Sequence, residues 1–180
     1  MPTTIHFSSF PKTEPPPLFA SSIADVFTRH EQEIATLLRK DALNSNEVLA
    51  SLRNDLVNIG FEVEGGKRRE VKIERPVFFG ENGQPTLKYQ IDAYNINWRC
   101  GLEVEAGRAW IGNAIYRDLI QGLVMVQIDS LILAVPNAYR YKTGNREVAS
   151  QDYANTVNVA ETLFGHTRIQ MPYTLVVISY

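Results

Sequence analysis

Acidic side chains recur among apolar ones in the stretch 87–107. Asp92 lies inside one strand-like segment, and Glu103 and Glu105 lie two residues apart in the next. Because side chains alternate along a strand, Glu103 and Glu105 point to the same face, about 7 Å apart along the strand. Carboxylates packed so closely are costly unless a proton or a cation compensates them, and hard divalent cations such as Mg²⁺ prefer oxygen ligands. The spacing therefore predicts a three-carboxylate site.

The composition is that of an ordinary globular protein. The chain has 180 residues, 44% of them apolar and 21% charged, which suits one domain with a real core. No apolar run is long enough to span a bilayer, and no secretory signal begins the chain, so we expect no membrane contact. The single cysteine, Cys100, fits a reducing cytoplasm. A net charge of −2 argues against coating nucleic acid non-specifically, but it leaves a local basic cleft open.

Proline and periodicity divide the chain into an arm and one domain. Four prolines between residues 11 and 17 predict an extended arm over residues 1–20, followed by a single domain over 21–180. Helical spacing predicts helices from residue 21 or 22 to Leu38, from Asn44 to Gly60, over 109–121, and from Gln151 to Phe164. The remaining apolar segments predict strands. These strands are Phe61–Glu64, Val71–Ile73, Val77–Phe79, Leu87–Trp98 with a bulge near Asn95, Cys100–Ala106, Ser130–Val135 and Leu175–Tyr180.

This order predicts an α+β fold, an α/β/α sandwich in which helices cover both faces of a mixed sheet. Glu81-Asn82-Gly83 is a strong hairpin signal between two of the strands. The strand Ser130–Val135 is apolar without alternation, which is typical of a central strand buried on both faces. The basic segment after it is interpreted as a loop.

Asp92 on one strand and Glu103-Val104-Glu105 on the next resemble the PD-(D/E)XK nuclease superfamily over residues 44–136. The resemblance implies a restriction-endonuclease-like fold. The superfamily usually has lysine at the position of Glu105. The BamHI and BglII group of type II restriction endonucleases has glutamate or glutamine there, and this motif looks like that E-x-E variant.

The resemblance implies a magnesium-dependent endonuclease that cuts duplex DNA, with Mn²⁺ as a substitute metal and a homodimer for two-strand cleavage. Asp92 and Glu103 would hold the metal. Glu105 would bind a second metal or deprotonate the attacking water. Glu47 would support the site, because it precedes a Gly-aromatic pair by one helix length. The alternative for Glu47 is a capping box with Asn44.

Basic residues near the motif are candidate phosphate contacts. Arg108 and Arg117 follow the acidic strand, and arginine's planar fork suits phosphate. Arg140 and Lys142 alternate with tyrosines, a pattern that can hold phosphates and stack on bases. An ordinary solvated loop is the alternative for the second pair.

Two other functions stay open at this point. The first is a catalytically silent module of the same fold that binds nucleic acid or serves in assembly. The second is an unrelated α+β ligand-binding protein, which is favoured if Asp92 and Glu103 are distant in space.

Overall fold

A six-stranded mixed sheet forms the centre of the protein. The computed structural model describes residues 2–39, 41, 43–66, 71–107, 109–110, 112–144 and 146–180. The strands across the sheet are, in order, β1 (Phe7–Phe10), β10 (Thr174–Ser179), β7 (Ser130–Val135), β6 (Cys100–Val104), β5 (Ala93–Asn95) and β2 (Glu62–Val63). β6, β7 and β10 are parallel neighbours, and the other pairs are antiparallel. Two hairpins lie outside the sheet: β3 (Ile73–Phe79) with β4 (Pro85–Ile91), and β8 (Tyr139–Thr143) with β9 (Arg146–Ser150).

Helices cover both faces of this sheet. One buried cluster joins α1 (Ala20–Arg29), α2 (Glu31–Ile34) and α3 (Ser45–Asn58) to one face. A second joins α4 (Ala114–Val124) and α5 (Asp152–Gly165) to the other. The predicted α/β/α sandwich is therefore confirmed. No helix in the described part of the chain is long and apolar enough to cross a bilayer.

Local sequence explains why α3 begins and ends where it does. Asn44 and Glu47 form a capping box at its start. Gly60 has φ +94°, a left-handed conformation that follows the helix end and favours glycine. The helix predicted between Asn44 and Gly60 is confirmed to within two residues.

Two other predicted helix boundaries are wrong. The helix expected to reach Leu38 breaks at His30, where the ring lies 3.1 Å from the Asp55 carboxylate on α3. The helix expected over 109–121 begins only at Ala114. It starts late because Asn113 has φ +57°, which cannot continue a right-handed helix.

Three segments form strands that differ from the sequence prediction. Part of the proline-rich arm, Phe7–Phe10, is the edge strand β1 beside β10. The basic segment predicted as a loop is the β8–β9 hairpin. The long predicted strand Leu87–Trp98 divides at Asp92, with Ile91 in one core and Ala93 in the other. It also ends at Asn95, close to the expected bulge or bend, where the Asn97 amide donates to the Asn95 side chain. The division at Asp92 turns the Asp92 side chain toward β6.

Candidate active site

Three acidic residues lie side by side across neighbouring strands. The pairing of β2 with β5 and of β5 with β6 puts Glu64, Asp92 and Glu103 in one row, immediately beyond the paired residues. The Glu64 amide donates to the Asp92 carbonyl oxygen at 2.9 Å. The Val104 amide donates to the Asp92 carboxylate, also at 2.9 Å. Since adjacent strands are about 4.8 Å apart, the three acids form a compact row.

The row opens into a cavity of about 320 Å³, called here the acidic cavity. Its lining residues are Glu64, Lys72, Gln90, Ile91, Asp92, Glu103, Arg117, Asp118 and Gln121. Helix α4 forms one wall and contributes a fourth acid, Asp118, which is 1% exposed. Glu103 is 7% exposed and Glu64 is 2% exposed. Acid side chains this deeply buried are rare without a charge partner.

Burial and mutual repulsion raise the pKa values of Asp92, Glu103 and Glu105. Burial, augmented by the charge of Glu64, raises the pKa of Asp92 to about 6, although the Val104 amide opposes the shift. Burial and the neighbouring charges of Asp92 and Asp118 raise the pKa of Glu103 well above its usual value. Burial, together with the neighbouring Asp118 carboxylate, raises the pKa of Glu105 to about 8.

Arg117 bridges two of the acids at the cavity wall. Its Nη2 donates to Glu105 Oε1 at 2.7 Å, and its Nε donates to Asp118 Oδ1 at 2.8 Å. The other oxygen of Asp118, Oδ2, is buried and has no hydrogen-bond partner among the described residues. A buried carboxylate oxygen without a donor is unfavourable, so this position favours a cation.

Two of the three predicted carboxylates line one cavity, and the third does not. Asp92 and Glu103 line the same cavity. Glu105 follows on the same strand face, but its carboxylate is directed to Arg117. Asp92 and Glu103 are therefore not distant in space, as they would be under the hypothesis of an unrelated ligand-binding protein.

Glu47 lies elsewhere. Its side chain is exposed, and it accepts a hydrogen bond from the Asn44 amide at 2.8 Å. It caps α3 and does not line the cavity, so the predicted supporting role is replaced by the capping-box alternative.

The predicted basic contacts fall in different places. Arg117 is part of the cavity wall, and Arg108 lies outside the described residues. Arg140 and Lys142 are exposed on β8. They alternate with Tyr139 and Tyr141, whose rings stack at 5.8 Å on the opposite face of the hairpin.

The β8–β9 hairpin reaches the acidic strand's end through Tyr139. Gly107, two residues after Glu105, has φ +72°, and a Cβ there would lie 3.3 Å from the Tyr139 ring. Glycine is therefore favoured both by backbone conformation and by this close approach. The tyrosine face of the hairpin therefore lies against the end of the acidic strand, and Arg140 and Lys142 lie on its other, exposed face.

Three cavity residues were missed from the sequence. Asp118 had a signal, because it lies three residues after Ile115 and one before Leu119, on the apolar face of α4. Glu64 is the last residue of a predicted strand and precedes two glycines, which is only a weak indication of a site residue. Lys72 precedes β3 and has no local pattern, because its approach to the cavity comes from tertiary folding.

The chemistry of the donors fits a hard divalent cation. Asp92, Glu103 and Asp118 offer carboxylate oxygens from three elements, and one of these oxygens is buried without a partner among the described residues. Within the same part of the chain, no three acidic, histidine or cysteine side chains are already gathered closely enough to hold a metal. Metal binding would therefore require side-chain movements that bring the oxygens together.

The raised pKa values predict a stability that falls as pH rises. Folded Asp92 keeps its proton up to about pH 6, whereas the unfolded group loses it near 3.8, so stability declines across that interval. The Asp92→Asn variant removes this loss, which is about 3 kcal/mol by pH 8 at 1.4 kcal/mol per pKa unit. Urea unfolding at pH 4 and pH 8 without metal measures it, with exposed Asp25→Asn as control. Equal pH dependence in wild type and Asp92→Asn would contradict the prediction.

Comparison with known proteins bears on the fold. No protein-family model and no curated protein matches the sequence. Among solved structures, the crystal structure of the restriction endonuclease BglII complexed with a DNA 16-mer is similar, with a TM-score of 0.52 and 9% identity, over 98% of this chain and 76% of that one. At so low an identity the likeness concerns the fold alone. The chain therefore has a restriction-endonuclease-like fold, with a mixed sheet between two helical layers.

Proposed function

We propose that this protein is a divalent-metal-dependent endonuclease that hydrolyses DNA phosphodiester bonds. The observation that carries the proposal is the buried row of acids, with an Asp118 oxygen that has no partner among the described residues, in a restriction-endonuclease-like fold. We assign the chain to the PD-(D/E)XK superfamily, with Glu103-Val104-Glu105 as its E-x-E variant. Asp92, Glu103 and Asp118 would hold Mg²⁺ or Mn²⁺, and two copies would be needed to cut both strands of a duplex.

The reaction adds water across a phosphodiester. The water oxygen bonds to phosphorus, the bond to the leaving sugar oxygen breaks, and that oxygen gains the proton that water loses. A bound divalent cation supplies Lewis acidity and neutralises phosphate charge. Glu105 lies beside the metal-holding acids, and in its ionised form it can accept the water's proton. Arg117 holds the Glu105 carboxylate in place and can release it toward the cavity, because its side chain is largely exposed.

Plasmid nicking tests the proposal directly. Supercoiled plasmid is incubated with the protein in EDTA, Mg²⁺ or Mn²⁺, and open-circular and linear products are quantified. We expect nicking only with metal. Absence of nicking with either metal, at protein concentrations that bind DNA, would overturn the proposed activity.

Divalent metal should stabilise the fold. A cation relieves the repulsion among Asp92, Glu103 and Asp118, so binding adds about 2.7 kcal/mol of stability at a hundredfold excess over Kd. Thermal melting in EDTA and then in millimolar Mg²⁺ or Mn²⁺ measures the rise in Tm. The Asp92→Asn variant, which lacks one charge, should show a smaller rise. A wild-type midpoint that does not move with either metal would count against a metal site.

The β8 strand should contribute phosphate contacts. Reversing both charges, with Arg140→Glu and Lys142→Glu, should weaken DNA binding and flatten its salt dependence by about 0.9 in log–log slope per lost phosphate contact. Fluorescence anisotropy across a salt series without metal measures both effects. Glu substitution of Lys12, an exposed lysine on the N-terminal segment, is the control. An unchanged slope would exclude this strand from the binding surface.

A silent nucleic-acid-binding module is the second candidate. The observation that favours it is the bridge from Arg117 to Glu105 and Asp118, which gives two acids a shared cationic partner without a metal. Protein that binds DNA but does not nick it, with a Tm independent of metal, would select this function.

A further inference from the structure

Lys72 brings a positive charge into the acidic cavity from the side opposite α4. Its Nζ lies 2.7 Å from Oε1 and 2.5 Å from Oε2 of Glu64. The Lys72 side chain is only 19% exposed, whereas Lys88 on the neighbouring strand is 44% exposed. The ammonium group is therefore part of the cavity wall, where its low exposure to water reduces the screening of its charge.

Glu64 holds this ammonium group beside the acids. Its backbone is bonded to Asp92, and the Arg53 guanidinium from α3 donates to the carbonyl oxygens of Val63 and Glu64. These contacts fix the strand end from which the Glu64 carboxylate extends to Lys72. The Lys72 charge reaches the acids, because it lowers the pKa of Asp92 against the effect of burial.

A phosphate that enters this cavity meets several carboxylates and the cationic side chains of Arg117 and Lys72. Arg117 already donates to Glu105 and to Asp118, on the α4 wall. Lys72 donates to Glu64, and an ammonium group carries three donors. Lys72 can therefore keep Glu64 and still donate to an anion in the cavity.

We propose that Lys72 is a catalytic residue whose ammonium group contacts the scissile phosphate and stabilises the negative charge that develops on it, and that Glu64 is its positioning residue. This inference rests on the proposed nuclease function. Glu105 is acidic and cannot supply a positive charge to the phosphate. Lys72, in the segment before β3, supplies that charge. The ammonium group acts by charge and hydrogen bonding, so its own proton is retained through the reaction.

Chemical rescue tests the role of the ammonium group. We expect Lys72→Cys to slow nicking by about 10²–10³-fold, the usual effect of losing one charge-stabilising donor, while Kd for DNA in EDTA changes little. Treatment with 2-bromoethylamine alkylates the introduced thiol: a carbon–sulfur bond forms, bromide leaves and the thiol proton is lost. The product is an aminoethyl side chain of nearly lysine length, and most of the lost rate should return.

The natural cysteine does not interfere with this design. Cys100 is fully buried, and burial raises the pKa of its thiol, so the reagent reaches the introduced thiol selectively. Treated wild type should keep its rate. Lys88→Cys, with and without reagent, is the matched control for a lysine outside the cavity and should nick like wild type.

Folding is controlled separately, because Lys72→Cys leaves Glu64 buried without its cation. The double variant Lys72→Cys/Glu64→Gln removes that charge, and its Tm shows whether the fold survives. Its nicking should stay low, and aminoethylation should restore less of the rate than in Lys72→Cys, because the carboxylate that positions the ammonium group is gone. Wild-type nicking that Lys72→Cys leaves unchanged overturns this inference alone, as does a loss that aminoethylation does not restore even in part in a folded variant. Wild-type protein that does not nick overturns the proposed function and this inference with it.

Discussion

We expect the Asp92→Ala variant to lose plasmid nicking entirely while it still binds DNA. Asp92 is the middle member of the row that Glu64 and Glu103 complete, and its carboxylate is fixed by the Val104 amide. Removing it takes away a proposed metal ligand and leaves the remaining acids without their central oxygen donor. DNA affinity in EDTA should hold or rise, because a negative charge facing phosphate is gone.

The matched control is Asp25→Ala on the exposed surface of α1, which should nick like wild type. The two assays to compare are nicking in Mg²⁺ or Mn²⁺ and anisotropy without metal. Nicking that survives Asp92→Ala would place the active site elsewhere in the chain. Loss of both nicking and DNA binding would indicate a misfolded variant, which Tm would reveal.

The Glu105→Gln variant should nick about 10²–10⁴-fold more slowly, the usual effect of removing a positioned acid–base group. Gln keeps the shape and can still accept from Arg117, but it cannot take a proton from water. Burial and Asp118 raise the pKa of Glu105 to about 8 in the metal-free protein, and a bound cation lowers it, so the wild-type rate should climb as pH rises toward that value. The Gln variant should lack this climb.

Single-turnover nicking from about pH 6 to pH 9, a range that brackets the Glu105 pKa of about 8, measures both effects. Glu81→Gln, in the exposed turn of the β3–β4 hairpin, is the control and should keep the wild-type profile. A Glu105→Gln variant with the wild-type rate and profile would remove Glu105 from the mechanism and leave Asp92 and Glu103 as the predicted core of the site.

Alternation and register explain why Asp92 and Glu103 could be predicted from the sequence. Each acid sits in a strand whose apolar neighbours define its faces, and the strands follow one another in the chain, so antiparallel pairing brings the acids together. The central strand Ser130–Val135 could be predicted equally well, because its continuous apolar residues leave no face for solvent. Local patterns of this kind specify the sheet and half of the cavity.

The other half depends on contacts that no local pattern encodes. Glu64 and Lys72 contact each other, and residues 67–70 between them lie outside the described part of the chain. The start of α4 was predicted too early, because the helical spacing of apolar residues continues through Asn113. The backbone of Asn113 is left-handed, so the helix itself does not continue through it. Glu47 was assigned to the site because two explanations fitted the same spacing, and only tertiary structure separates a helix cap from a cavity residue.

The acidic row runs from the middle of the sheet to its rim, and the two ends face different constraints during evolution. Every residue of Cys100–Val104 is buried, so a replacement at Glu103 must suit strands and helices on all sides. Glu62–Val63 is a two-residue edge strand, where replacements disturb few neighbours. The rim can therefore gain or lose a cation such as Lys72 without rebuilding the core, provided that the buried charge of Glu64 changes with it, which makes it the part of the site where new substrate preferences can arise most readily.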